Sequence, residues 1–239
     1  TSGSSSITCM LHSVLHDKMK SAENKFEGSE FNQYVGRADA EFLILTSGTG
    51  WLYSLEAVKL LNLQDDVGIL KLGTTWPLPT KLLATHWRHA KEVLFIEETD
   101  PFLEQNVKIA TAELLADGIA PIKFYGQKSN HVRSESGAGT GELNVDTVVK
   151  ALMGIKKIEY SPRRSGYAEK VQGTVGSYLP PRSMSFCAGC PHRASFWSIY
   201  KAIKWHGREV IVAGDIGCYS LGLLPTGFSV EKTLHCMGA

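Results

Sequence analysis

The feature that most constrains the fold lies between residues 41 and 154, where short apolar runs alternate with amphipathic segments. Strands that read as continuous apolar stretches, each followed by a helical pattern, produce a parallel sheet with crossover helices packed on its faces. Residues 41–46 read as a buried strand that enters Ser47-Gly48-Thr49-Gly50, and the next segment carries Leu52, Leu55, Val58 and Leu61 at helical spacing. Residues 67–72 read as a second strand, and the Pro77 and Pro79 region breaks it before a helix over 80–90. A third strand covers 92–97. After it, Asp100 is placed as an N-cap, with Pro101 in the first helical turn and Glu104 as the later carboxylate of that start signal. A fourth strand is expected over 120–125, and a closing helix over 145–155 capped by Asn144.

The chain has 239 residues, 43% of them hydrophobic, enough for one large domain or two ordinary ones. Lysine plus arginine (25) nearly balances aspartate plus glutamate (24), and no basic face runs along any segment, which argues against a nucleic-acid partner. No apolar stretch approaches the roughly 18 residues that a membrane span requires. The start at Thr1-Ser2-Gly3 has neither an initiator methionine nor a secretory pattern, and the end at Cys236-Met237-Gly238-Ala239 has no terminating pattern, so the chain is expected to be part of a longer polypeptide. An odd cysteine count with CxxC spacing fits a reduced, cytoplasmic setting.

Residues 156–185 change character. Ser161-Pro162-Arg163-Arg164, Gly173, Gly176 and Pro180-Pro181 are turn and linker chemistry, and a domain boundary is expected there. Beyond it, 194–205 reads as a helix and 209–213 as a strand, with Gly214-Asp215-Ile216-Gly217-Cys218 as the turn at that strand's carboxyl end, where open parallel sheets bind ligands. The expected organisation is an N-terminal connecting segment over 1–40, an α/β domain over 41–155, a linker over 156–185 and the truncated start of a second α/β domain over 186–239.

Several segments carry a chemical reading beside a plainer one. Ser47-Gly48-Thr49-Gly50 has the placement of an anion site, but two glycines without a third and no P-loop lysine favour a tight strand-to-helix turn. Glu97, Glu98, Asp100 and Glu104 could act as paired carboxylates; a capped helix start with solvated charges is the stronger reading. His86 and His89 read as exposed or packed rather than metal-binding, and Cys9 as a small hydrophobe.

Four of the five cysteines fall from Cys187 onward, in Cys187-Ala188-Gly189-Cys190-Pro191-His192, Gly217-Cys218-Tyr219 and His235-Cys236. Cys187 and Cys190 share the spacing that lets two thiolates face one ion or cluster. From spacing alone three readings stay open: iron-sulfur or zinc ligation, a dithiol redox pair, and cysteines that pack or line a pocket. Gly214-Asp215-Ile216-Gly217 adds a glycine-bracketed loop fit to bring backbone close to a cofactor.

Taken together, Cys187-Ala188-Gly189-Cys190-Pro191-His192-Arg193, Gly214-Asp215-Ile216-Gly217-Cys218-Tyr219-Ser220-Leu221-Gly222 and Leu234-His235-Cys236-Met237-Gly238-Ala239 resemble the thiamine diphosphate domain of the large (alpha) subunits of indolepyruvate:ferredoxin oxidoreductases. Upstream, Leu45-Thr46-Ser47-Gly48, Tyr53 with Glu56-Ala57, Leu70-Lys71-Leu72-Gly73, Trp76-Pro77-Leu78-Pro79 and 96–104 are similar to the transketolase C-terminal-like domain that precedes it in that family. The resemblance implies a transketolase C-terminal-like parallel-sheet domain followed by the start of a thiamine diphosphate-binding α/β domain. It also implies oxidative decarboxylation of an aryl pyruvate with thiamine diphosphate and Mg2+, electrons leaving through [4Fe-4S] clusters to ferredoxin and the acyl group going to coenzyme A. The implied partners are a small (beta) subunit of the same enzyme, in a hetero-oligomer, and ferredoxin.

In related beta-type subunits the Ile-Gly-Cys-Ser stretch and a later histidine contact thiamine diphosphate, which maps onto Ile216, Gly217, Cys218, Tyr219 and His235. In the same subunits the CxxC cysteines and the Gly-Cys cysteine ligate a cluster, which corresponds to Cys187, Cys190 and Cys218, with Cys236 as the thiol left to serve as a fourth. The chain departs from that pattern in having Pro191-His192-Arg193 where Gly-His is usual. The family's magnesium motif comes after the point where this chain stops, and its catalytic glutamate in an earlier domain. The rival readings are a cysteine-rich metal-binding module for protein interaction and a coenzyme-binding accessory subunit without catalysis.

Overall fold

A computed structural model describes residues 2–116, 118, 120–134, 136–161, 166–179 and 183–235, the side chains of 2–5, 115 and 116 excepted. The chain divides into two units, Thr1–Pro162 and Arg163–Ala239.

The first unit is built on a five-stranded sheet in the order β1-β3-β2-β4-β5, from β1 (Gln33–Val35), β2 (Phe42–Thr46), β3 (Val67–Lys71), β4 (Glu92–Ile96) and β5 (Lys123–Tyr125). β2 runs parallel to both β3 and β4, with Ile44 opposite Ile69 and Leu94, and β4 runs parallel to β5. All five residues of β2 are buried, because crossover helices cover both faces of a parallel sheet and leave no wet side. The period-2 alternation sorts the side chains. Phe42, Ile44, Ile69, Leu94 and Ile96 face one core with α2 (Gly50–Leu60) and α5 (Val145–Lys156). Leu43, Leu45, Leu70, Val93 and Phe95 face the other with α3 (Thr80–Trp87) and α4 (Phe102–Ala116). The expected parallel α/β architecture is what the chain adopts, and Asn144 caps α5 as read, its Oδ1 accepting from Thr147 N at 3.0 Å.

The segment placed ahead of the domain carries α1 (Ser2–Phe26) and β1, and both are tied to the sheet unit. β1 adds antiparallel to β3 as an edge strand, and the Glu27 carboxylate accepts from Lys81 N (3.0 Å) and Leu82 N (2.7 Å), satisfying two of the free amides at the start of α3.

Three local expectations meet the structure differently, two with changes and one, the strand-to-helix turn, as read. Of the apolar residues at helical spacing, Val58 and Leu61 are buried and Leu55 packs against the same core, whereas Leu52 is 62% exposed; Gly50, Ser54 and Ala57 complete the buried stripe. Gly48 takes a left-handed conformation (φ 54°) and a side chain on Gly50 would strike Ile96 O at 3.0 Å, so backbone shape accounts for the first glycine of the strand-to-helix turn and close packing for the second. The third concerns the acidic run. Asp100 does not cap α4: Leu103 N and Glu104 N donate to the Glu97 carboxylate at 2.7 and 2.9 Å, so the cap reaches over from the end of β4. Glu98 and Asp100 are solvated as read, but Glu97 is 6% exposed and Glu104 0%. Glu104 stays paired, accepting from Lys108 Nζ at 2.6 Å and Lys128 N at 3.2 Å. Burial pushes the Glu97 carboxyl above the usual glutamate range, with the helix amides pulling the other way.

In the second unit α6 (Tyr167–Val175) is a short helix with no buried residue, lying within the stretch read as linker. α7 (Pro191–His206) follows Cys190, starts on a proline that needs no amide partner, and stops at Gly207 in the left-handed conformation. β6 (Val212–Asp215) and β7 (Glu231–His235) pair in parallel, and two 3₁₀ turns, Cys218–Leu223 and Pro225–Gly227, make the connection between them. The strand starts later than residues 209–213, and Gly214-Asp215 belongs to it rather than to the turn. Gly214 is glycine because the Glu231 side chain lies where a Cβ would stand, the usual reason for glycine inside a strand. The core here is small: Phe186, Phe196 and Val230, flanked by Cys190, Tyr200, Leu221 and Phe228.

Candidate functional site

Parallel pairing decides where the candidate residues emerge. Because Asp215 lies opposite His235, the loop leaving β6 and the last described residue of β7 come out at the same carboxyl edge. Ile216 N donates to Asp215 Oδ1 at 2.6 Å, which turns the chain immediately after the strand. Gly217 then adopts φ 124°, a conformation closed to residues with a side chain, and a Cβ on it would meet no atom within 4 Å. Its glycine therefore reflects backbone shape and an open approach rather than crowding. Cys218 opens the first 3₁₀ turn, and Ser220 Oγ donates back to Gly217 O.

Beside this edge lies a cavity with room for about 650 Å³, lined by His192, Ser195, Asp215, Tyr219, Glu231 and His235 together with apolar side chains of α7. Of the residues mapped to the cofactor, Tyr219 and His235 line it, whereas Ile216, Gly217 and Cys218 do not. His192 meets Tyr219 edge to face at 4.9 Å between ring centres, and its Nδ1 stands 3.6 Å from Cys190 Sγ. His235 Nε2 lies 3.3 Å from Thr233 Oγ1 on the same strand. Glu231 is the residue that sequence reasoning missed. It is 4% exposed, its Oε2 has no hydrogen-bond partner, and burial raises its carboxyl above the usual range. Nothing in its sequence neighbourhood marks it, because Val230-Glu231-Lys232 reads as an ordinary strand start with a solvent-facing charge.

None of the described cysteines lines this cavity, and Cys190 meets it only through His192. Cys187, Cys190 and Cys218 are free thiols, Cys187 and Cys218 exposed and Cys190 half-buried. Cys190 N donates to Cys187 O at 3.2 Å, closing the CxxC turn. Among the described residues no three histidine, cysteine or acidic side chains gather into a metal-ligand group, and Cys236 lies outside the described residues. Cys187, Cys190 and Cys218 are therefore not gathered into one ligand set among the described residues. Among the described residues no helix is long and apolar enough to cross a membrane.

No family model matches the chain. Curated relatives do, over nearly its whole length. It is 32% identical over 229 residues to the indolepyruvate oxidoreductase subunit IorA of Archaeoglobus fulgidus, an alignment covering 96% of this chain and 34% of that subunit. The chain is homologous to part of an IorA subunit. The IorA of Pyrococcus horikoshii is 33% identical over 228 residues, covering 95% of this chain and 33% of the relative, and that of Thermococcus kodakarensis is 32% identical over the same length and shares. The chain thus spans about a third of the length of the IorA subunits it matches. A solved split-gene transketolase, described as an inactive β4 tetramer, overlaps 54% of this chain and 42% of its own with a TM-score of 0.39 at 20% identity.

Proposed function

We propose that the chain is the part of an IorA-type subunit in which a transketolase C-terminal-like domain, the Thr1–Pro162 unit, is followed by the start of a thiamine diphosphate-binding domain, the Arg163–Ala239 unit. The intact enzyme would oxidatively decarboxylate aryl pyruvates of the indolepyruvate type to acyl-coenzyme A and pass the electrons to ferredoxin, with a small subunit as its partner. The observation that carries this reading is the shared carboxyl edge of β6 and β7, where an open, positive-φ Gly217 loop and His235 emerge beside one cavity. The similarity to IorA subunits over nearly the whole chain supports it.

When bound, thiamine diphosphate supplies the carbanion chemistry of decarboxylation, while the protein binds, orients and sets the local electrostatics. Ile216, Gly217 and Cys218 would offer backbone to the diphosphate, since Gly217 leaves the approach clear of side chain. His235, exposed at the strand end, would donate a charge-assisted hydrogen bond to a phosphate oxygen. Tyr219, held edge to face by His192, would form part of the wall. Asp215 is not assigned to Mg2+, because the family's magnesium motif comes after the point where this chain stops.

In the full-length complex with its partner subunit, thiamine diphosphate, Mg2+, coenzyme A and a dye acceptor, indolepyruvate or phenylpyruvate should drive dye reduction with formation of the acyl-coenzyme A. Absence of turnover on every 2-oxo acid tried would end this reading. Within the same complex, His235→Ala should weaken thiamine diphosphate binding by about five- to a hundredfold, the usual effect of losing a charge-assisted hydrogen bond. Titration calorimetry that returns an unchanged affinity removes His235 from the site.

A further inference from the structure

A second set of polar groups, within the Thr1–Pro162 unit, sits at the carboxyl end of β4. Gln127, just past β5, donates from Nε2 to Glu97 O at 3.0 Å. That bond fixes the amide, since the reversed orientation would set Oε1 against a carbonyl oxygen. Oε1 is thereby left without a hydrogen-bond partner although Gln127 is only 9% exposed. A buried, unpaired acceptor costs stability unless something satisfies it.

Gln127 lines a small cavity with room for about 20 Å³, the size of one water or one ion. Other oxygens face the same space. A Cβ on Gly139 would stand 3.4 Å from Gln127 Oε1 and 3.2 Å from Thr99 O, so these two acceptors converge on one spot beside a glycine. Glu98 also lines the cavity, its Oε1 accepting from Thr49 Oγ1 at 3.2 Å. Two of the hydroxyls in the lining are turned to other acceptors, Ser134 Oγ to Thr140 O at 2.5 Å and Thr147 Oγ1 to Asn144 Oδ1 at 3.1 Å. Among the described lining residues the carboxylates are Glu97, Glu98 and Glu142, and the basic side chain is Arg133, which is exposed.

We propose that this cavity binds one monovalent cation of potassium size, held by Gln127 Oε1, Thr99 O and the Glu98 carboxylate, with water completing its shell. Gln127 Oε1 and Thr99 O are both acceptors and have no proton to offer each other, an arrangement that a cation bridges directly. The acidic lining acts in the same direction. Glu97 contributes charge but no ligand, because both its oxygens accept helix amides. Amide and carbonyl oxygens with one carboxylate are a set that replaces the weakly held shell of potassium. Magnesium demands a near-octahedral cage and gives up water reluctantly. The ion would tie together the end of β4, the turn after β5 and the loop around Gly139.

The test is equilibrium dialysis of the full-length subunit with Rb+ as the probe, beside melting curves in KCl and in choline chloride of equal ionic strength. One Rb+ per chain should be retained at this site and lost in Gln127→Leu, and KCl should raise Tm by about 2–4 °C over choline. Glu98→Gln, on an exposed side chain and therefore neutral for folding, should weaken Rb+ retention about tenfold. Equal Rb+ uptake by wild type, Gln127→Leu and Glu98→Gln, with no effect of KCl on Tm, would show that the cavity holds only water and overturn the proposal. Displacement of Rb+ by far lower concentrations of Ca2+ or Mg2+ would overturn the monovalent assignment.

Discussion

Glu97→Ala should destabilise the Thr1–Pro162 unit by about 3 kcal/mol, a large fraction of what a domain of this size holds in reserve. The Glu97 carboxylate accepts from Leu103 N and Glu104 N, and among the described residues no other group takes these amides. Loss of a helix cap costs about 0.5–2 kcal/mol, and a buried amide left without an acceptor about 1–3 kcal/mol. Removing a buried carboxylate gives part of this back, since burial already works against its charged form. The effect should appear in urea unfolding of the intact subunit as a lower midpoint with unchanged slope. Glu113→Ala, on the same helix but exposed, serves as the reference and should stay within about 0.5 kcal/mol of wild type. Equal behaviour of the two variants would show that α4 is held by packing and that the Glu97 cap is incidental.

That cap also shows why part of the fold was readable in the sequence and part was not. A parallel strand buried on both faces writes itself as an uninterrupted apolar run, so β2, β3 and β4 could be placed within a residue of their positions. Asn144 was equally legible, because an N-cap interaction spans three residues of sequence. Glu97 belongs to β4 and serves α4 from outside the helix, an arrangement that exists only after the strand end and the helix start have been brought together. Asp100, the local candidate, has the right chemistry in a place that the chain does not use. β1 follows the same logic: three residues with no clear alternation become an edge strand because β3 offers them a partner.

In the second unit the motif Gly214-Asp215-Ile216-Gly217-Cys218 marked the carboxyl end of β6, since glycines after an apolar run record a backbone requirement directly. Side chains that meet across the fold left no such record. His192 and Tyr219 touch across 26 intervening residues, and Glu231 reaches Gly214 and Gly222 only because β7 pairs in parallel with β6.

Glu231 carries the second large expected effect, and its sign follows from burial. The carboxylate packs where Gly214 and Gly222 leave it space, beside Phe196, with Oε2 unpaired. Desolvation raises its folded-state pKa above the unfolded value, so the folded state holds the proton more tightly than the unfolded chain does. Stability from this group is therefore complete at low pH and is lost as pH rises through the raised folded value. At neutral pH and above, the unpaired carboxylate opposes folding. Glu231→Met, unbranched and apolar, should then stabilise the Arg163–Ala239 unit by about 1–2 kcal/mol at pH 8. The advantage should shrink as pH falls toward the ordinary glutamate range, where both forms are neutral. Hydrogen exchange at the amides of β6 and β7 in the full-length subunit reads this locally, as protection rising about tenfold in the variant at pH 8 and converging with wild type on acidification. A variant less protected than wild type at pH 8 would mean that the carboxylate is held by a partner contributed from the rest of the subunit. Glu231 would then be part of an assembled charge pair rather than a buried charge that the fold tolerates.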